Sequence, residues 1–115
     1  MALTVGMITF DTRDAVALAG WWARQLGGTV RDEAEGWFVI VTDVRGVGQV
    51  AFQRVDDPTP GKNRVHLDLG SEDPATEVER LLAAGASLVA RHDEHGFSWT
   101  VLADPDGNQF CVAPS

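Results

Sequence analysis

Arg31-Asp32-Glu33-Ala34-Glu35-Gly36-Trp37-Phe38-Val39-Ile40-Val41 and Arg91-His92-Asp93-Glu94-His95-Gly96-Phe97-Ser98-Trp99-Thr100-Val101 lie one over the other at an offset of 60. They share the Arg, the Gly and the final Val, and an aromatic ring follows each Gly. Upstream, Leu26-Gly27-Gly28-Thr29-Val30 lies over Ala84-Gly85-Ala86-Ser87-Leu88 at an offset of 58, and Met7-Ile8-Thr9-Phe10 over His66-Leu67-Asp68-Leu69 at 59. Three matches in one order, with offsets that drift by one or two residues, read as two copies of a unit that differ in loop length.

Each copy reads as a strand, a helix and three more strands. In the first, a strand over Leu3–Phe10 leads to Asp14, a residue suited to cap a helix by accepting from its free N–H groups. Ala15, Ala19, Trp22 and Leu26 then recur at helical spacing as one apolar stripe, with Trp21 at its edge. Gly27-Gly28 ends the helix, because glycine adopts the left-handed conformation a helix end needs. Strands follow near Thr29–Arg31, Trp37–Thr42 and Gln49–Val55. The second copy has a strand over Arg64–Leu69, Asp73 as cap with Pro74 in the first helical turn, a stripe of Ala75, Val78, Leu81 and Leu82, and Gly85 as the stop. Its last strands fall near Leu88–Arg91, Ser98–Ala103 and Gln109–Ala113.

The expected architecture is α+β: two tandem βαβββ modules, about residues 1–57 and 62–115, within one domain spanning 1–115. Asp56-Asp57-Pro58-Thr59-Pro60-Gly61-Lys62-Asn63, rich in turn formers, joins them. One helix covers one face of a four-stranded sheet and leaves the other open. Two modules side by side are therefore expected to form a curved eight-stranded mixed sheet, with helices outside and a concave cleft inside.

Composition narrows the function. The 115 residues carry 9 Lys and Arg against 17 Asp and Glu, a net charge of −8 that repels nucleic acid and anionic membranes. The hydrophobic share of 44% suffices for a core, so disorder is excluded. One Cys allows no internal disulfide. Met1-Ala2-Leu3-Thr4-Val5 has no basic stretch before an apolar run, so no secretory signal is expected and the cytoplasm is the expected compartment.

Strand alternation sorts side chains to the two faces. With Ile8, Phe10, Val50, Phe52, Val65, Leu67, Leu69, Phe110 and Val112 turned to the helices, the cleft row comprises Met7, Thr9, Gln49, Ala51, Gln53, Arg64, His66, Asp68, Gln109, Cys111 and Ala113. Trp37 and Trp99 are further cleft candidates.

The double βαβββ pattern resembles the vicinal oxygen chelate superfamily, which includes glyoxalase I, extradiol dioxygenases and the bleomycin and fosfomycin resistance proteins. The resemblance is carried by Asp14 ahead of Trp21-Trp22-Ala23-Arg24-Gln25-Leu26-Gly27, by Val65-His66-Leu67-Asp68-Leu69, and above all by Asp104-Pro105-Asp106-Gly107-Asn108. It covers essentially the whole chain, is closest to small glyoxalase-like domains, and implies a homodimer. It also implies a divalent metal held from the first, fourth, fifth and eighth strands by His or Gln, Glu, His and Glu. Those positions fall here on Met7, on Ala51 or Gln53, on His66 and on Cys111. His66 is the one ordinary ligand among them, since Met is soft and neutral Gln is a poor donor.

Two functions compete. The favoured one is a glyoxalase-like small-molecule-binding protein without the family's full metal site and without a cofactor, its cleft taking a small ligand of planar or cationic character. The alternative is a lyase, isomerase or dioxygenase dependent on Zn, Ni, Mn or Fe, with His66, Gln53 and Cys111 as candidate ligands. A third role makes His66 a catalytic general base oriented by Asp68. Simpler accounts stand beside these: His66 as a cleft histidine bonded to Asp68, Cys111 as a small buried filler, His92 and His95 in an exposed acidic hairpin loop, and Asp104–Asn108 as a turn rather than a calcium loop.

Overall fold

The computed structural model describes residues 5–115, so the Leu3 start expected for the first strand lies outside the described residues. The chain divides into two compact units, Met1–Pro58 and Thr59–Ser115. The first holds β1 (Ile8–Thr12), α1 (Ala15–Leu26), β2 (Thr29–Asp32), β3 (Phe38–Val44) and β4 (Gly48–Arg54). The second holds β5 (Asp68–Ser71), α2 (Pro74–Ala83), β6 (Ser87–Glu94), β7 (Phe97–Ala103) and β8 (Gln109–Pro114). Each unit is therefore a βαβββ module with its own four-stranded mixed sheet, ordered β1-β4-β3-β2 in one and β5-β8-β7-β6 in the other. The outer pairs β1/β4 and β5/β8 are parallel and the rest antiparallel.

The first unit forms for the reasons its sequence suggests. Asp14 caps α1, its Oδ1 accepting from the Ala17 N–H at 3.1 Å. Gly27 ends the helix at φ 69°, and the next glycine meets β3 so closely that a Cβ there would lie 2.5 Å from Val41 Cγ1. Ala15, Leu18, Ala19 and Trp22 are buried, and so is Trp21, expected at the edge of the stripe. Phe10 stacks on Phe52 at 5.2 Å between ring centroids and reaches Trp22 at 6.1 Å. Burial of side chains of this size contributes about 2–3 kcal/mol each, which makes this cluster the unit's anchor.

In the second unit Asp73 caps α2 by accepting from the Thr76 N–H and, at 2.7 Å, from its hydroxyl. Val78, Leu81, Leu102, Phe110 and Val112 are buried in the core, while Ala75 of the expected stripe is exposed. The Asp104–Asn108 segment is a turn. Asp104 is buried, and its Oδ1 accepts from the backbone N–H groups of Asp106 and Asn108, both at 2.9 Å. Its carboxylate also accepts from the Asn108 side-chain amide.

One strand begins later than expected. The run over Arg64–Leu69 becomes β5 only at Asp68, and Val65, expected in the core, is 71% exposed. The cause is Asn63. Its Oδ1 accepts from the Gln109 N–H at 2.8 Å and its Nδ2 donates to the Gln109 carbonyl at 3.1 Å. That amide takes the backbone groups an incoming strand would have paired, and β-pairing resumes only where the Cys111 N–H donates to the Leu67 carbonyl.

Candidate functional site

The second unit carries a cavity of about 520 Å³, within the size range of small-molecule sites. One wall comes from β8 and the approach to β5. In the parallel ladder Asp68 stands opposite Cys111, and His66, in the stretch before β5 begins, lies beside Asp68. His66 Nδ1 lies 3.2 Å from Asp68 Oδ1. Donor atoms of His66, Asp68 and Cys111 all fall within 4.8 Å of one another. The Cys111 thiol is pushed up from its ordinary value, first by burial and then by the charge of Asp68, with Lys62 acting in the opposite sense. Cys111 is half-buried and lines the cavity, where the sequence suggested a buried filler.

The β7 side of the cavity is aromatic. His95-Gly96 closes a two-residue hairpin with both residues at positive φ, 55° and 78°, the backbone such a tight turn needs. The register that follows sets His92 directly across from Trp99. Their rings stack at 4.9 Å with planes 22° apart, and Phe97 lies 6.0 Å from Trp99. Phe97, Trp99 and Val101, alternate residues of β7, all line the cavity.

Of the cleft residues expected from the sequence, His66, Asp68, Gln109, Cys111, Ala113 and Trp99 line this one cavity. Met7 and Gln49 line a smaller recess of about 200 Å³ in the first unit. Thr9, Gln53 and Arg64 are exposed and border neither cavity. Trp37 is 56% exposed, and the Arg54 guanidinium covers its ring at 4.6 Å. Ala51 is fully buried. Lys62, His92 and Phe97 line the main cavity without having been expected there. His92 belongs to β6, not to the hairpin loop; a two-residue His-Gly turn between alternating runs carries the register that would have found it.

The two parallel ladders bear on which fourth-strand residue matches Cys111. Thr9 stands opposite Ala51 in β1/β4 just as Asp68 stands opposite Cys111 in β5/β8, whereas Gln53 faces Asp11. The matching residue is Ala51, which has no donor atom. Met7, Ala51, His66 and Cys111 thus do not fit the donor set implied by the superfamily resemblance.

The sequence from residue 7 to residue 113 matches the model of the glyoxalase-like domain family. The chain belongs to that family. Its wider kinship is the vicinal oxygen chelate superfamily, as the Asp104–Asn108 segment and the duplicated module suggest. Among solved structures, this glyoxalase-like chain resembles a glyoxalase/bleomycin resistance protein/dioxygenase family enzyme from Burkholderia phytofirmans, with a TM-score of 0.78, 21% identity and coverage of 95% of this chain and 96% of that one. It also resembles the fosfomycin resistance protein FosX of Listeria monocytogenes, with a TM-score of 0.80, 13% identity and coverage of 100% and 95%. A lactoylglutathione lyase from Agrobacterium tumefaciens matches with a TM-score of 0.71, 13% identity and coverage of 100% and 96%. At such identities the likeness speaks for the glyoxalase-like fold, not for a shared activity. No curated protein matches the chain.

Proposed function

We propose that this glyoxalase-like chain is a small-molecule-binding protein whose second-unit cavity captures a planar, cationic ligand without the family's full metal site. The observation that carries this reading is the stacked His92–Trp99 pair with Phe97, lining the same cavity as the Asp68 carboxylate. A planar ring gains from offset stacking on such aromatics, and a cation over an indole gains about 0.5–2 kcal/mol more, depending on how far it is desolvated. Asp68 and the net charge of −8 both favour a cation over an anion. The same reading has the protein working as a cytoplasmic homodimer. Among the described residues no helix is long and apolar enough to cross a membrane.

A thermal-shift experiment in chelator tests it, comparing an acridinium dye with tetraethylammonium. The dye is expected to raise Tm in proportion to the logarithm of its concentration, tetraethylammonium to leave it unchanged, and Trp99→Ala to lose most of the shift. No shift with the dye, or an equal shift in Trp99→Ala, overturns the reading.

The convergence of His66, Asp68 and Cys111 favours a second reading, a divalent-metal-dependent lyase, isomerase or dioxygenase. Metal analysis of protein purified without chelator tests it. Less than about a tenth of an equivalent, with no stabilisation by Zn2+, Ni2+, Mn2+ or Fe2+, removes it.

A further inference from the structure

We propose that the second unit's cavity selects an aromatic zwitterion, a planar cation bearing a carboxylate, with Lys62 and Gln109 receiving the anionic end. The inference rests on the planar-cation reading and deepens it by naming the ligand's second charge.

Lys62 is the feature that a plain cation leaves unexplained. It lines the cavity together with Asp68, so two opposite charges border one space. Among the described residues no carboxylate lies within ion-pair distance of Lys62. A plain cation seated on the aromatic side would displace water from that ammonium and be repelled by it. A carboxylate on the same ligand offsets both costs, because a hydrogen bond between an ammonium and a carboxylate is about twice as strong as a neutral one.

The chain fixes where this charge stands. Asn63 binds both backbone groups of Gln109, accepting from its N–H at 2.8 Å and donating to its carbonyl at 3.1 Å. Residue 62 is thereby tied to the start of β8. Gln109 itself lines the cavity, and among the described residues its side-chain amide has no hydrogen-bond partner. That amide can donate to a carboxylate beside the Lys62 ammonium. Asp68 stands opposite Cys111, one two-residue step of roughly 7 Å further along β8. Both charges act on the Cys111 thiol, in opposite senses. The cavity is thus cationic at the Gln109 end and anionic at Asp68, with Trp99, His92 and Phe97 offering the surface for a ring.

These poles discriminate among aromatic ligands. A simple aromatic acid gains Lys62 but meets Asp68 and the net charge of −8. A simple cation gains Asp68 but meets Lys62. A ring carrying both charges, one at each side, satisfies both poles at once.

Fluorescence titration of the full chain in chelator, comparing 10-methylacridinium with 10-methylacridinium-9-carboxylate, tests the assignment. Wild type is expected to bind the carboxylated dye about tenfold more tightly than its parent. Lys62→Ala is expected to bring that ratio close to one, and Lys62→Arg to keep it. Arg80→Ala removes the same positive charge from α2, outside the cavity lining, and is expected to keep the ratio too. If wild type binds the parent dye as tightly as the carboxylated one, the proposal falls and the planar-cation reading stands. A ratio that survives in Lys62→Ala has the same consequence. Binding of neither dye overturns both.

Discussion

Asp68 stands directly opposite Cys111 in the parallel β5/β8 ladder, and its carboxylate places negative charge beside the thiol. Negative charge nearby disfavours a thiolate, so it adds to burial in raising the Cys111 value. Alkylation of metal-free protein by iodoacetamide is expected to accelerate only above the ordinary cysteine value of about 8.5. Asp68→Asn moves the inflection to lower pH, and Lys62→Ala moves it higher. An inflection that ignores Asp68 contradicts this account of the pair.

The adjacent glycines after α1 are there for different reasons. At Gly27, φ 69° strains any side chain but the space is open, so Gly27→Ala is expected to cost about 1 kcal/mol of strain alone. At Gly28, a Cβ meets Val41 Cγ1 at 2.5 Å and the Thr42 carbonyl at 2.7 Å. Backbone must move, and Gly28→Ala is expected to cost about 2–3 kcal/mol. Urea denaturation of both variants checks the order; a Gly27→Ala loss larger than that of Gly28→Ala refutes it.

Asp104 organises the turn before β8. Asp104→Ala strips the acceptor from the Asp106 and Asn108 N–H groups and is expected to cost about 2–3 kcal/mol in chemical denaturation. Asp104→Asn keeps one acceptor oxygen and falls between wild type and Asp104→Ala. Bound calcium has no part in this account, so added Ca2+ is expected to leave the midpoint of wild type unchanged.

The cap of α2 carries a pH signature. Hydrogen bonds from Thr76, side chain first and backbone second, hold Asp73 below the ordinary carboxylate value. A carboxylate with a lowered folded value contributes stability that is fully present above its unfolded value of about 3.9 and is lost as pH falls through the folded one. The excess stability of wild type over Asp73→Ala is therefore expected to be level from pH 7 to about 4 and to shrink below that. Urea midpoints across pH 2–7 check it, and an excess that grows toward acid contradicts it.

Much of this fold was legible in the sequence because its punctuation is local. Asp14 with Gly27, and Asp73-Pro74 with Gly85, bracket two apolar stripes, and the structure places helices between them. Alternation likewise assigned Gln109, Cys111 and Ala113 to one face of β8, where all three line the cavity. What escaped depends on partners distant in sequence. The late start of β5 follows from Asn63 bonding to Gln109, 46 residues away, and no period within residues 64–69 records that. The burial of Ala51 between Val50 and Phe52 shows a strand covered on both faces, which alternation alone assigns to one. The place of His92 opposite Trp99 depends on a two-residue hairpin count rather than on residue type.

Nitrogen-resolved NMR during titration with the acridinium dye, in chelator, tests the central claim most directly. The account expects saturable shifts at the Trp99 indole N–H and at the backbone of His92, Gln109 and Cys111, with Trp37 and Arg54 unmoved. Shifts confined to Trp37 and its Arg54 cover, or none that saturate, would place any capture outside the second unit's cavity and contradict the account.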